Sequence, residues 1–231
     1  MVSWKGITMA QSMKPKKNQK GDTKQAATYD ACQTPSYALQ PLLPYLQKFN
    51  TIWEPADGEG ILVKALLEGG VGCVVCSDIL VGQNFFTYDP SDWDAIVTNP
   101  PYSIKRKWLK RCYELGKPFA LLVPLETIGS SEVQDMLGHY GFEMMLLDAR
   151  IDFKMPNLGW GGNGAQFPVV WLTWRILPAQ VMFGSIKEAK KQWKEDMKDA
   201  ILADKARKTM KETLTYVQML KELNVKQDDL S

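Results

Sequence analysis

Histidine is nearly absent from this chain, with His139 the only one in 231 residues. Cysteine is sparse too: Cys32, Cys73, Cys76 and Cys112 include one Cys-x-x-Cys pair and no second one. A structural zinc site takes four such ligands, so no metal is expected. Cys73 and Cys76 flank two valines in an apolar, strand-like run, and the four cysteines read as reduced, mostly buried thiols of a cytoplasmic protein. No apolar run reaches the roughly 18 residues that span a bilayer. Residues 1–24 lack the apolar core of a secretory signal. The glycine-containing loop Glu54–Gly60 is not a Gly-x-Gly-x-x-Gly and lacks the lysine of a phosphate-binding loop, and the chain has no internal repeat.

What is present is an ordinary globular composition, 45% hydrophobic and 23% charged, enough for one domain with an appendage. The net charge of +2 is unevenly spread. Residues 1–24 carry six lysines against one aspartate, residues 185–231 carry eleven bases against nine acids, and the stretch between is net acidic. That pattern suits either plain solvation or a grip on a polyanion. Residues 1–28, polar and aperiodic, read as a disordered basic arm, 29–184 as the main domain, and 185–231 as a helical appendage. In the appendage Ile186, Ala189, Trp193, Met197 and Ile201 recur at helical spacing, as do Met210, Leu214, Val217 and Leu220. These stripes would pack on the body or on a partner helix, which could pair two chains. A nucleic-acid role for the intervening lysines is the alternative.

Between these ends, strands alternate with helices of about ten residues. A broken helix over Tyr37–Leu46, interrupted by Pro41 and Pro44, precedes strand Thr51–Glu54. Helix Ile61–Leu67 stops at Gly69-Gly70 and leads to strand Val71–Ser77. Strand Trp93–Thr98 is followed by helix Lys105–Leu115, which ends at Gly116. Strand Pro118–Pro124, helix Ser130–Tyr140 with Ser130 or Ser131 as cap, and strand Phe142–Leu147 come next. A Gly-rich loop, 159–164, separates these from a last strand, Phe167–Ile176. The alternation predicts an α/β, doubly wound, mostly parallel sheet, and the helix-free connection predicts an antiparallel final pair.

Three stretches carry chemistry. Glu54-Pro55-Ala56-Asp57-Gly58-Glu59-Gly60 sits between a strand and a helix, where α/β folds bind ligands. Asp78, twenty residues beyond Gly58 and closing the second strand, is placed to accept from ribose hydroxyls; a solvated strand-end acid is the plainer reading. Asn99-Pro100-Pro101-Tyr102 follows the third strand. Two prolines forbid helix and ladder alike, so the chain leaves as a rigid loop. That is either a strand cap or a mount for Asn99 and Tyr102.

Together these stretches resemble the S-adenosylmethionine-dependent amino-methyltransferases. Asn99-Pro100-Pro101-Tyr102 is similar to the Asp/Asn-Pro-Pro-Tyr motif of DNA adenine-N6 and cytosine-N4 methyltransferases, and Gln33-Thr34-Pro35 resembles the Thr-Pro segment before their first strand. The motif order is that of the adenine-type group, and the compactness that of small phage-borne forms. The resemblance covers about 33–176 and implies a Rossmann-like methyltransferase sheet. It implies S-adenosylmethionine held by Thr34, Pro35, Glu54, Pro55, Ala56, Asp57, Gly58, Gly60, Asp78, Ile79, Asn84 and Phe85. Asn84-Phe85 stands where such enzymes often carry Asp-Phe, and an amide oxygen can still accept from the cofactor's amine.

The chemistry fits the motif. An exocyclic amine on a base is a poor nucleophile because its lone pair is delocalised. The Asn99 oxygen and the Pro100 carbonyl, held by Pro101, would accept its hydrogens and favour a pyramidal nitrogen. Tyr102 would stack the extruded base, and no histidine base or metal is required. Lys105 and Lys107, among five cations within 105–111, would meet phosphates or form a solvated helix face. Phe153 is implied to line the base pocket, and Trp160 would cover the base or pack down. The expectation is DNA adenine-N6 methylation, with nucleic acid as partner. RNA-base or protein-glutamine methylation and a non-catalytic nucleic-acid-binding module are the alternatives.

Overall fold

The computed structural model describes residues 30–155, 159–160 and 167–228; the expected arm 1–28 and loop positions 161–164 lie outside them. The first four strands are Thr51–Glu54 (β1), Cys73–Cys76 (β2), Ala95–Thr98 (β3) and Phe119–Pro124 (β4). Glu143–Leu147 (β5), a small pair Lys154–Met155 (β6) and Gly159–Trp160 (β7), then Val169–Trp174 (β8) and Val181–Gly184 (β9) follow. Seven of these form one sheet in the order β2-β1-β3-β4-β8-β5-β9. β1 to β4 pair in parallel, and β8 runs antiparallel between β4 and β5. This is the mostly parallel, Rossmann-like sheet with an antiparallel strand that the sequence predicts.

The helices are Leu43–Leu46 (α1), Ile61–Glu68 (α2), Lys105–Leu115 (α3), Ser131–Tyr140 (α4) and Lys187–Asp228 (α5). They cover both faces, which is why β3, β4 and β8 are buried along their whole length. One core joins Leu39, Leu42, Leu46, Leu66 and Trp171 under α1 and α2. The other joins Trp53, Phe85, Trp108, Tyr113 and Trp174 under α3 and α4. Beyond β2, the chain packs Phe85 and Trp93 on Trp53 (5.4 and 5.2 Å between ring centres).

Four expectations are corrected. Phe167–Ile176 does not close the sheet: β9 follows and pairs in parallel with β5. It is a four-residue edge strand with Phe183 82% exposed, so no alternation marked it. Only Cys112 is buried, because Cys73 and Cys76 end an edge strand and reach solvent. Ser130 stands at the N-cap of α4, yet its hydroxyl makes no capping bond and is buried without a partner among the described residues. The appendage is one helix of 42 residues, about 63 Å at 1.5 Å per residue. Its first stripe divides: Ile186 is buried and Ala189 and Trp193 pack on the core, whereas Ile201 is exposed.

Candidate active site

Strand order reverses around β1, with β2 on one side and β3 on the other. In an open α/β sheet the crevice at such a switch, outside the carboxyl ends of the strands, is where ligands bind. Here it is a cavity of about 360 Å³, within the roughly 300–1,000 Å³ usual for small-molecule sites. The loops after β1, β2 and β3 line it together with residues 30–33.

The loop after β1 has its backbone donors occupied. Ala56 N–H donates to Glu54 Oε1 (2.9 Å), Asp57 N–H to the Ser77 carbonyl (3.2 Å) and Gly58 N–H to Asp78 Oδ2 (3.0 Å). Glu59 N–H donates to Gln33 Oε1 (3.0 Å) and Gly60 N–H to the Asp57 carbonyl (3.0 Å). Five successive amides are thus spent within the protein. A phosphate cradle needs such amides open, so this loop is not built for a pyrophosphate. Gly58 has φ +58°, and a Cβ there would stand 2.3 Å from Gln33 Nε2. Glycine takes this left-handed turn without strain, and any Cβ would require the Gln33 amide to move.

Acidic groups surround that loop. Burial pushes the Glu54 carboxyl up to about 8; Thr98 and the Ala56 amide pull it back, and Asp57 and Asp78 push it further. Glu54 Oε2 and the Thr98 hydroxyl are both buried without closing a hydrogen bond, although the hydroxyl lies near enough to favour the charged carboxylate. Asp57 is also raised, by burial first and by Asp78, against a bond from the Cys76 thiol. Asp78 accepts from Gly58 and from Leu80 N–H (2.8 Å). A carboxylate has about four acceptor positions, so two remain for a ligand.

The loop after β3 is the converse. Pro100 and Pro101 bring no N–H. The Asn99 Oδ1 acceptor is buried with no donor among the described residues, and Asn99 lines the cavity. The Tyr102 hydroxyl is likewise buried without a partner among the described residues, and burial holds the phenol protonated. The Tyr102 ring meets Phe153 at 6.4 Å and Phe167 at 5.9 Å. Asp30 clamps the end of this loop: its Oδ1 accepts from Ser103 N–H (2.9 Å) and its Oδ2 from the Ser103 hydroxyl.

The cavity brings together Pro55, Ala56, Gly58, Asp78, Ile79, Asn84, Phe85, Asn99 and Pro101. Other expected residues stand around it without lining it. Thr34, Pro35 and Glu54 are buried, Asp57 is half-buried, and Gly60 takes φ +75° to cap α2. Pro100 is buried and Tyr102 faces Phe153. The Asn84 oxygen already accepts from Phe86 N–H (3.0 Å). Phe85 is stacked on Trp108 at 4.0 Å. Lys105 reaches back to the Tyr102 carbonyl (3.2 Å), and Lys107 is exposed. Trp160 packs down on Trp193 at 4.8 Å, away from the cavity. Asp30, Gln33, Phe86, Ile104 and Trp108 also line the cavity, beyond the residues the sequence points to. Gln33 stood inside the Thr-Pro stretch, Trp108 reads as helix core, and nothing in spacing marks Asp30.

No family model and no curated protein sequence matches the chain. Solved structures that match include a candidate RNA methyltransferase from Pyrococcus horikoshii, 12% identical, covering 62% of this chain and 82% of that one, with a TM-score of 0.44. The methyltransferase subunit of a type I restriction-modification system from Streptococcus thermophilus is 14% identical, covering 73% of this chain and 55% of that one, with a TM-score of 0.45. The chain thus spans about half of that subunit. Likeness at this level is one of chain course and carries no residue role.

Proposed function

We propose that the chain is an S-adenosylmethionine-dependent methyltransferase acting on an exocyclic amino nitrogen, adenine N6 in DNA. The observation that carries this reading is the buried Asn99 oxygen, left without a donor among the described residues at the wall of the cavity that Gly58 and Asp78 also line. A buried acceptor without a partner is costly, and an amino group entering the cavity would satisfy it. The cofactor fits its surroundings. The spent amides after β1 disfavour a phosphate group, Asp78 keeps acceptor capacity for ribose hydroxyls, and Asp57 and Asp78 favour a cation nearby.

When bound, S-adenosylmethionine supplies a methyl group on a cationic sulfonium. The protein's part is positioning. Asn99 Oδ1 and the Pro100 carbonyl would accept the two amine hydrogens and hold the nitrogen pyramidal. The two prolines limit the loop's reorganisation. Tyr102, kept neutral by burial, would offer its ring to the extruded base. The N–C bond would form as the S–C bond breaks, its electron pair staying on sulfur as a neutral thioether, and the amine proton would then pass to water, so no strong base is needed.

The test is transfer of labelled methyl to unmethylated duplex DNA, single-stranded DNA, total RNA and a protein lysate, with digestion and identification by mass. N6-methyldeoxyadenosine is expected. Label in RNA or in glutamine would replace the substrate, and no cofactor binding at all would overturn the reading.

A further inference from the structure

The root of α5 is tied to the wall of the candidate active site. Asp148 caps it, accepting from Ile186 N–H and from the Ser185 hydroxyl (both 2.8 Å), so the helix N-terminus itself is occupied. Asp152, buried, pairs with Lys190 (3.1 Å) and Lys194 (2.9 Å). The next residue is Phe153, whose ring meets that of Tyr102. The flank of α5 that carries these lysines therefore faces the segment backing the catalytic loop.

Charge on this helix is segregated. At about 100° per residue, Lys187, Lys191, Lys194, Lys198 and Lys205 fall within about 40° of one line along the axis. Glu188, Glu195, Asp196 and Asp199 fall about 80° to 180° away from it, and Ile186, Ala189 and Trp193 face the body. Lys187, Lys191, Lys198 and Lys205 are exposed. Near the root, five lysines and Glu195 surround a shallow hollow of about 270 Å³. From Lys187 to Lys205 the line runs about 27 Å.

We infer that this lysine flank is a track for a phosphodiester backbone, which delivers a nucleic acid to Tyr102. The inference rests on the nucleic-acid reading of the substrate and deepens it. Lys187, Lys191, Lys194 and Lys198 recur once per turn and Lys205 follows two turns on, a row of cations that matches the spread of phosphates along one strand. It supplies affinity without reading bases. Glu195 pairs with Lys198 at the edge of the row (3.0 Å), and Glu188, Asp196 and Asp199 on the far flank keep the polymer to the side that leads to the active loop.

The experiment is a salt series of binding to a fluorescent DNA duplex and to a single-stranded RNA. It compares the full chain, the triple variant Lys191→Gln/Lys198→Gln/Lys205→Gln, and a charge-matched control, Lys64→Gln/Arg207→Gln/Lys211→Gln. The track variant should lose roughly 0.9 of log–log salt slope per lysine on duplex DNA, or roughly 0.7 on a single strand. The control should keep the slope of the full chain, and the polymer showing the larger loss is the one the track serves. Equal slopes in the two triple variants, or no binding of either polymer by the full chain, would overturn the inference. Calorimetry of S-adenosylmethionine on the same proteins separates the two failures. Cofactor binding with an unchanged slope removes the track alone, while absent cofactor binding removes the methyltransferase reading and leaves the slope result standing.

Discussion

The two loops that meet at the cavity solve opposite problems. After β1, five consecutive amides are bonded within the protein, to Glu54, Ser77, Asp78, Gln33 and Asp57. After β3, two prolines remove donors, and the Asn99 acceptor is left open in a buried place. The first loop can hold a ligand by shape and by the spare acceptors of Asp78, but has little to offer an anion. The second asks for a ligand that donates. A cationic or neutral nucleoside cofactor on one side and an amine on the other satisfy both. A phosphate-bearing cofactor with a proton-accepting substrate would satisfy neither.

That contrast can be broken at several points. The largest effect is expected at Asn99. Asn99→Ala should lower methyl transfer by about 10²–10³-fold, the usual cost of one preorganised polar group. Its cofactor affinity should stay close to that of the unmodified chain in calorimetry. A parallel loss of both would mean that the loops do not divide the work. Gly58→Ala should act on the other side. It forces a strained φ and a clash with the Gln33 side chain, so cofactor affinity should fall by about tenfold and the unfolding midpoint should drop, at a strain of about 1–3 kcal/mol.

Asp30 belongs to neither loop but holds the end of the second through Ser103. Asp30→Ala should slow transfer by several-fold at saturating cofactor, with the KM for cofactor little changed. Asp30→Asn, which keeps an acceptor, should recover most of the rate. A loss confined to KM would place Asp30 at the cofactor instead.

The mildest expected effect is on stability. Glu54 titrates at about 8 in the folded protein against 4.5 ordinarily. The folded state thus binds the extra proton between those values. The stability this confers is complete below about pH 4.5 and is lost as pH rises through about 8. Thermal unfolding at pH 5 and pH 9 should show this loss, and Glu54→Gln should remove it, raising the midpoint at pH 9.

Most of the sheet was legible because its central strands are buried on both faces and read as unbroken apolar runs, as in Phe119–Pro124. The glycine stop at Gly116 and the proline pair after Thr98 marked their boundaries for local reasons of φ and missing N–H. β9 was not legible, since an exposed edge strand of four residues carries no periodicity. The cavity was half legible. Gly58, Asp78 and Asn99 follow from position after strands. Their partners do not. That Asn84 bonds its own turn, that Phe85 stacks on Trp108 and that Asp30 reaches Ser103 across 73 positions are tertiary facts. No local pattern encodes them. The long helix was legible as a helix, but which part of its stripe meets the body depended on where Asp148 and Asp152 anchor it.

The central claim is that Asn99 acts as an acceptor for the amine of the substrate. The most direct measurement is single-turnover methyl transfer by Asn99→Asp at saturating S-adenosylmethionine. Aspartate keeps the acceptor oxygens and removes the amide donors. The account predicts a rate within about tenfold of the unmodified chain and far above that of Asn99→Ala. A rate as low as that of Asn99→Ala would contradict it, because the amide's donors, and not its oxygen, would then be what the reaction needs.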